Sequence, residues 1–169
     1  TAGVCDGRFG SSAFTTAKPD TTQIYVGATV PTPIESLKVG VAWDHSQQAP
    51  TTAVNTSDAD AIAGYVSWQA TEKLKLNLRA DYLDDGRDLL GFGASGLGAA
   101  AGAAGASAFA GEYFAATVTV DYALWANVIS RLEYRWDHDL SGGRHFPGAT
   151  AATGVNNANL LALNVIYKF

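Results

Sequence analysis

The carboxyl-terminal segment of the chain, Asn157–Phe169, alternates between two kinds of side chain without interruption. One set is wholly apolar and comprises Leu161, Leu163, Val165, Tyr167 and Phe169. Because successive side chains of a β-strand point to opposite faces, this segment presents one continuous apolar face and one mixed face. An apolar face that ends in an aromatic residue is typical of the closing strand of a transmembrane β-barrel.

Six segments upstream also have the character of strands, which makes seven candidates in all. They are Gln23–Val30, Leu37–His45, Asp60–Ala70, Leu74–Leu83, Glu112–Tyr122, Val128–His138 and Asn159–Phe169. Most are close to the roughly 9–11 residues that a tilted strand needs to cross a bilayer. In the fourth candidate, Lys75, Asn77, Arg79 and Asp81 share the face opposite its leucines. Burying these polar groups in a dry core would be costly, so that face must be wet.

The connections between the candidate strands alternate in length. The short ones are Pro31–Ser36, Thr71–Lys73 and Ala123–Asn127, and the long ones are Ser46–Ala59, Asp84–Gly111 and Asp139–Ala158. Short periplasmic turns and long extracellular loops are typical of outer-membrane barrels. A soluble β-sandwich or lipocalin-type barrel also alternates, but it does not require every second loop to be long. The pattern predicts an all-β protein, a transmembrane antiparallel up-and-down β-barrel.

Composition and charge limit the possible functions. A hydrophobic content of 47% suits a barrel in which half of each strand faces water. The net charge of −5 argues against nucleic acid as a partner, since nucleic-acid-binding proteins usually carry a basic stripe. Cys5 is the only cysteine, so the chain has no internal disulfide. No motif implies a cofactor.

The strand count does not by itself assign a structure to the amino-terminal region. With a periplasmic carboxyl terminus, seven strands make residues 1–22 an extracellular loop, yet bacterial single-chain barrels have even strand numbers. Either another strand lies within Val4–Thr16, or residues 1–169 are the carboxyl-terminal portion of a larger barrel domain. The sequence contains no methionine, so we expect the chain to be processed or a piece of something longer, and we favour the second alternative. The long connection 84–111 is rich in glycine and alanine, and we expect it to be extracellular or folded into the lumen.

Several stretches resemble a known family. They are TQIYVGATVPTPIESLKVGVAWDH, WQATEKLKLNLRADY, DYALWANVISRLEYRWDH and NLLALNVIYKF, and together they are similar to the carboxyl-terminal part of OmpL-like β-barrel porins. The last stretch also resembles the terminal signature that the barrel-assembly machinery reads in bacterial outer-membrane proteins. The resemblance implies a porin in the outer membrane, with the lipid bilayer, lipopolysaccharide and that machinery as partners. A homo-oligomer and a larger complex are both compatible with it.

The wet face predicts the residues that line a pore. They are Lys38, Asp44, Lys75, Arg79, Asp81, Asp121, Arg131, Glu133, Arg135, Asp137 and Lys168. Because both signs of charge are present, we expect weak ion selectivity at most. The three arginines are the candidates for a constriction. We expect a passive channel for small hydrophilic solutes or ions, with a plugged structural or adhesive barrel, its lumen filled by ion pairs, as the alternative.

Aromatic residues predict where the membrane interfaces lie. Trp43 and Trp136 are expected in the outer girdle, and Tyr167 and Phe169 in the periplasmic one. The Asp and His residues that follow each tryptophan suggest a third alternative, a rim-site hydrolase that uses Asp84, Asp85, Asp137 and His138. We expect no catalysis, because the strand motifs of the omptin-like proteases that carry such a site are not recognisable here. We expect no metal site, because neighbouring residues such as Asp44 and His45 should point to opposite faces.

Overall fold

The computed structural model describes residues 1–8, 20–49, 57–85, 111–142, 146 and 154–168. These residues form eight β-strands. The strands are β1 (Ala2–Arg8), β2 (Asp20–Pro31), β3 (Leu37–Gln48), β4 (Ser57–Gln69), β5 (Leu74–Asp85), β6 (Gly111–Trp125), β7 (Val128–Asp139) and β8 (Asn157–Tyr167). Each strand pairs antiparallel with the next strand along the chain, so the sheet is an up-and-down meander. The prediction of an all-β antiparallel fold is confirmed.

All seven strands predicted from side-chain alternation are present, and each observed end lies within three residues of its predicted position. Most of the differences are extensions toward the long loops. For example, β3 continues beyond His45 to Gln48, and β4 already begins at Ser57. The ladder between two strands joins backbone groups, so it can continue where side-chain alternation has ended.

The prediction that residues 1–22 form a loop is wrong, because Ala2–Arg8 forms β1 and Asp20 begins β2. Gly3 pairs with Tyr25 and Gly7 pairs with Thr21 in the β1–β2 ladder. Since glycine has no side chain, alternation is hard to recognise in this segment. The long connection 84–111 is also shorter than predicted at both ends, because Asp84 and Asp85 belong to β5 and Gly111 belongs to β6. Residues 86–110 lie outside the described part of the chain.

The sheet is not closed. Within the described part of the chain, β1 pairs only with β2 and β8 pairs only with β7, which leaves two free edges. An open sheet of this kind is consistent with a barrel fragment or an open barrel. No helix in the described residues is long and apolar enough to cross a membrane.

Two of the short turns are built around a threonine. The hydroxyl oxygen of Thr32 accepts a hydrogen bond from the Ile34 N–H at 3.2 Å, and that of Thr71 accepts one from the Leu74 N–H at 3.0 Å. Threonine hydroxyls stabilise tight turns by replacing a backbone acceptor. These local contacts explain why β2–β3 and β4–β5 can be joined by only a few residues.

Burial differs between the two faces of the sheet. The register places every side chain that is buried among the described residues on one face: Thr21, Ala42, Ala59, Ala63, Asp85, Ala115, Thr119 and Asp139. Inward-facing positions of a barrel are crowded, and small residues suit them, so we infer that this face is the inner one and the opposite face the outer one.

Candidate functional site

The candidate site is the inner face of the sheet. Paired residues of antiparallel strands point to the same side, so the register extends one face from strand to strand. Lys75 lies opposite Asp121, which lies opposite Arg131. The predicted pore-lining residues in the strands all share this face: Lys38, Asp44, Lys75, Arg79, Asp81, Asp121, Arg131, Glu133, Arg135 and Asp137. Lys168 follows directly after β8 with the same alternation, and its N–H donates to the Asn127 carbonyl at 2.8 Å.

Three ion pairs organise the charges on this face. Arg131 on β7 donates to Asp121 on β6 through Nε at 2.6 Å and Nη2 at 3.1 Å. The other two pairs each lie within one strand. Arg79 Nε donates to Asp81 Oδ1 at 2.7 Å, and Arg135 Nη2 donates to Asp137 Oδ1 at 2.6 Å.

The arginines are more exposed than the carboxylates they bind. Arg79, Arg131 and Arg135 are 40–49% exposed, whereas the three carboxylates are 13–22% exposed. The acids therefore lie closer to the wall, and the guanidinium groups extend further into the space over it. Charges this exposed contribute modestly to stability, and they can act on a solute that passes.

Neutral polar groups fill the space between the charged pairs. Thr119 donates to Glu133 at 2.9 Å, and the Arg79 guanidinium lies 5.4 Å from the centre of the Tyr65 ring. Arg79 and Arg135 border a recess of about 430 Å³ whose lining also includes Tyr65 and Thr117. Among the described residues, the buried atoms Thr117 Oγ1 and Asp81 Oδ2 have no hydrogen-bond partner.

The opposite face of the sheet is apolar and exposed. On β8, Leu161, Leu163 and Val165 are 69–73% exposed. The neighbouring strands extend the same surface with Leu78, Val118 and Leu132, which the register places on this side. A continuous apolar surface of this size on a folded chain marks contact with a membrane or a large partner. The sheet is thus polar on its inner side and apolar on its outer side, the reverse of a soluble barrel.

A family model described as "Putative beta-barrel porin-2, OmpL-like" matches residues 9–169. The chain belongs to this family of OmpL-like porins. The matched range contains β2 to β8, and β1 precedes it. No curated protein and no solved structure shows a significant match to the chain. The resemblance found in the sequence is confirmed, and family membership indicates a porin-like barrel of the outer membrane.

In this member of the porin family, the predicted girdle residues lie on the apolar face. Trp43 and Trp136 are near the long-loop ends of β3 and β7, and Tyr167 is at the turn end of β8. Phe169 lies outside the described residues. Trp68, which is 46% exposed at the turn end of β4, joins them on this face, although it was not predicted. Its position just before a short turn is the sequence feature from which this placement could have been predicted.

The two tryptophans near the long loops of the porin chain have the same surroundings. Trp43 Nε1 donates to Asp60 Oδ1 at 3.0 Å, and His45 Nδ1 lies 3.0 Å from the same oxygen. On β7, Trp136 and His138 share Asn157 Oδ1 in the same way, at 2.9 and 2.8 Å.

In both cases the indole and imidazole rings are stacked, with centroids 5.8 and 5.4 Å apart. A ring with an apolar body and a hydrogen-bonded tip suits a membrane interface.

The residues of the hydrolase hypothesis do not converge in the porin chain. Asp84 and His138 are on the apolar face, whereas Asp85 and Asp137 are on the polar face. Asp44 and His45 diverge in the same way, since Asp44 pairs with Ala61 on the inner side and His45 with Asp60 on the outer side. Within the described residues, no three His, Cys, Asp or Glu side chains are grouped so that they could hold a metal ion.

Proposed function

We propose that the protein forms a passive aqueous channel in the bacterial outer membrane for small hydrophilic solutes or ions. The inner face borders water, the outer face contacts lipid, and solutes diffuse through without a covalent step. The eleven predicted pore-lining residues form the charged part of the wall, and Arg79, Arg131 and Arg135 narrow it.

The main observation behind this proposal is that the two faces of the sheet have opposite polarity. On β5, Leu78 is 49% exposed on the outer face, while its neighbour Arg79 is 49% exposed on the inner face. Neither side chain is buried, so the two faces must border two different environments. Lipid suits the leucine, and water suits the guanidinium group.

The free edges support a wall with more strands than the eight described. A closed barrel of about eight strands has an interior just large enough for side chains, so it would not conduct solutes freely. Unpaired edges also invite further pairing. We propose that additional strands complete the barrel and that the final strand is read by the barrel-assembly machinery. The outer girdle would then contact lipopolysaccharide, and the lipid face could also join copies in a homo-oligomer.

Planar-bilayer recording tests this function directly. The intact protein, purified from the membrane and shown to be folded by its heat-modifiable migration, should produce stepwise increases in conductance. Folded protein that leaves the bilayer silent would refute the channel.

A plugged structural or adhesive barrel is the second candidate, and the ion pairs favour it. Arg131 with Asp121, and Arg135 with Asp137, are contacts of the kind that fill a small closed lumen. The mass of the mature protein separates the two candidates. A mass that matches these 169 residues favours the plugged barrel, and a much larger one favours the pore.

A further inference from the structure

The two ion pairs that lie within single strands point in the same direction. Both follow the sequence Arg-x-Asp, Arg79 with Asp81 on β5 and Arg135 with Asp137 on β7. Both strands run from a short turn to a long loop, so each guanidinium group lies on the turn side of its carboxylate. The strand between them has Thr117 opposite the arginines and Ala115 opposite the aspartates, so it adds no opposing charge.

The net charge of the inner face follows the same order on the two sides of the row formed by Arg79, Thr117 and Arg135, which we call the arginine row. On its loop side, β2 to β8 carry three exposed or partly exposed carboxylates, Asp44, Asp81 and Asp137, and no cation. Asp85 and Asp139 also lie there, but their side chains are buried and each has an interaction partner, so they are not counted. In the arginine row and on its turn side, the same strands carry five cations, Lys38, Lys75, Arg79, Arg131 and Arg135, and two carboxylates, Asp121 and Glu133. Among these groups, charge is therefore mixed in total but separated along the strands, net −3 toward the loops and net +3 toward the turns.

We propose that this separation makes the channel rectify, so that it conducts more current at one polarity than at the other. The inference rests on the proposed channel function and adds a property of its ion pathway. The acidic half concentrates cations and the basic half concentrates anions. When the long-loop side is positive, both kinds of ion are driven toward the arginine row and accumulate there, so conductance rises. With the opposite polarity, both are drawn away from that row and conductance falls.

The charge rows are close enough together for this effect to depend on salt. Residues two apart on a strand are about 6.7 Å apart along it, which is below the Debye length of about 8 Å at physiological ionic strength. The Debye length is about 30 Å at 10 mM salt and about 3 Å at 1 M salt. Rectification should therefore be strongest in dilute salt and disappear in concentrated salt.

Single-channel recording of the intact protein at about 100 mV of each sign tests the proposal, with an expected current ratio of about two in 10 mM KCl and close to one in 1 M KCl. Orientation can be read with an impermeant thiol reagent on Glu72→Cys in a Cys5→Ser background, because Glu72 lies in the short turn between β4 and β5. The larger current should flow when the chamber opposite this turn is positive.

Reversing the two Arg-x-Asp pairs provides the decisive variant. Arg79→Asp with Asp81→Arg, combined with Arg135→Asp and Asp137→Arg, keeps every charge and both pairings but inverts their order along the pore. The accessible groups would then sum to +1 on the loop side and −1 on the turn side, so little charge separation remains and the current ratio in dilute salt should fall to about one.

The Asp121–Arg131 pair offers a matched control. These residues lie opposite each other in one row, so Asp121→Arg with Arg131→Asp exchanges the charges across strands and leaves their order along the pore unchanged. Both residues line the proposed pore, so its absolute conductance is expected to differ from the native value, but its current ratio in dilute salt should stay at about two because the charge order along the pore is unchanged. A native channel with equal currents, the larger current at the opposite polarity, or equal loss of rectification in both variants would overturn the inference alone. A silent bilayer would overturn the proposed channel and this inference with it.

Discussion

Which face of the sheet contacts lipid can be tested at Leu78 and Asn77. These neighbours on β5 share one depth in the membrane and point to opposite faces. Leu78 is the middle member of the apolar run Leu74, Leu76, Leu78, Ala80 and Tyr82. Each end of the run is about 13 Å away along the strand, or about 10 Å along the membrane normal for a strand tilted by 45°. Leu78→Arg would therefore place a charge near the bilayer midplane.

The expected cost is large on the lipid face and small on the inner face. An arginine at the midplane destabilises a barrel by about 2–4 kcal/mol. Because Leu78 is 49% exposed, loss of its contact with lipid adds about half of the roughly 2 kcal/mol that burying a leucine contributes. We expect a total loss of about 3–5 kcal/mol for Leu78→Arg. For Asn77→Arg we expect less than about 1 kcal/mol, since only the long Asn77–Asp121 contact of 3.4 Å is lost.

Urea unfolding of the intact protein in phospholipid vesicles, followed by tryptophan fluorescence, measures both free energies. Leu78→Ala is the control that separates the lost contact from the added charge, and it should lose about 1 kcal/mol. If Asn77→Arg is as destabilising as Leu78→Arg, the assignment of the two faces is wrong. The inner position of the predicted pore-lining residues would then be wrong as well.

Three other predictions concern assembly and the membrane interfaces. Deletion of Phe169 should lower the amount of protein inserted in cells far more than it lowers the stability of barrel refolded in detergent, because the assembly machinery is expected to read that residue. Membrane fractionation measures insertion and an unfolding assay measures stability, and equal losses in the two would contradict this prediction. In single-tryptophan variants, Trp43 and Trp136 should be quenched by an impermeant reagent from one side of the membrane and Trp68 from the other. Quenching of Trp136 and Trp68 from the same side would show that the strand ends are assigned wrongly. Asp60→Ala should change the fluorescence emission of Trp43 and lower the free energy of unfolding by about 1 kcal/mol, because Trp43 and His45 share that exposed acceptor. An unchanged Trp43 emission would show that the contact does not form in the membrane.

The sequence alone was sufficient to predict the positions of seven of the eight described strands and which residues of each strand share a face. Alternation is a local property, since the side chains of a strand change face at every residue whatever lies beside them. Leu74–Leu83 shows this clearly, with leucines on one face and Lys75, Arg79 and Asp81 on the other. The first strand, β1, was not among the seven predicted strands, because Gly3 and Gly7 provide no side chain with which to alternate.

Only the tertiary structure decided which charges meet and how they are ordered. Pairing of Asp121 with Arg131, and the shared depth of Arg79 and Arg135, depend on register between strands. A shift of one residue would move every side chain of a strand to the other face, and a shift of two would keep the faces but change every pair. Because no local pattern encodes that choice, the sequence indicated six cations and five carboxylates on one wet face, whereas the structure shows that those cations lie toward the turns and most carboxylates toward the loops.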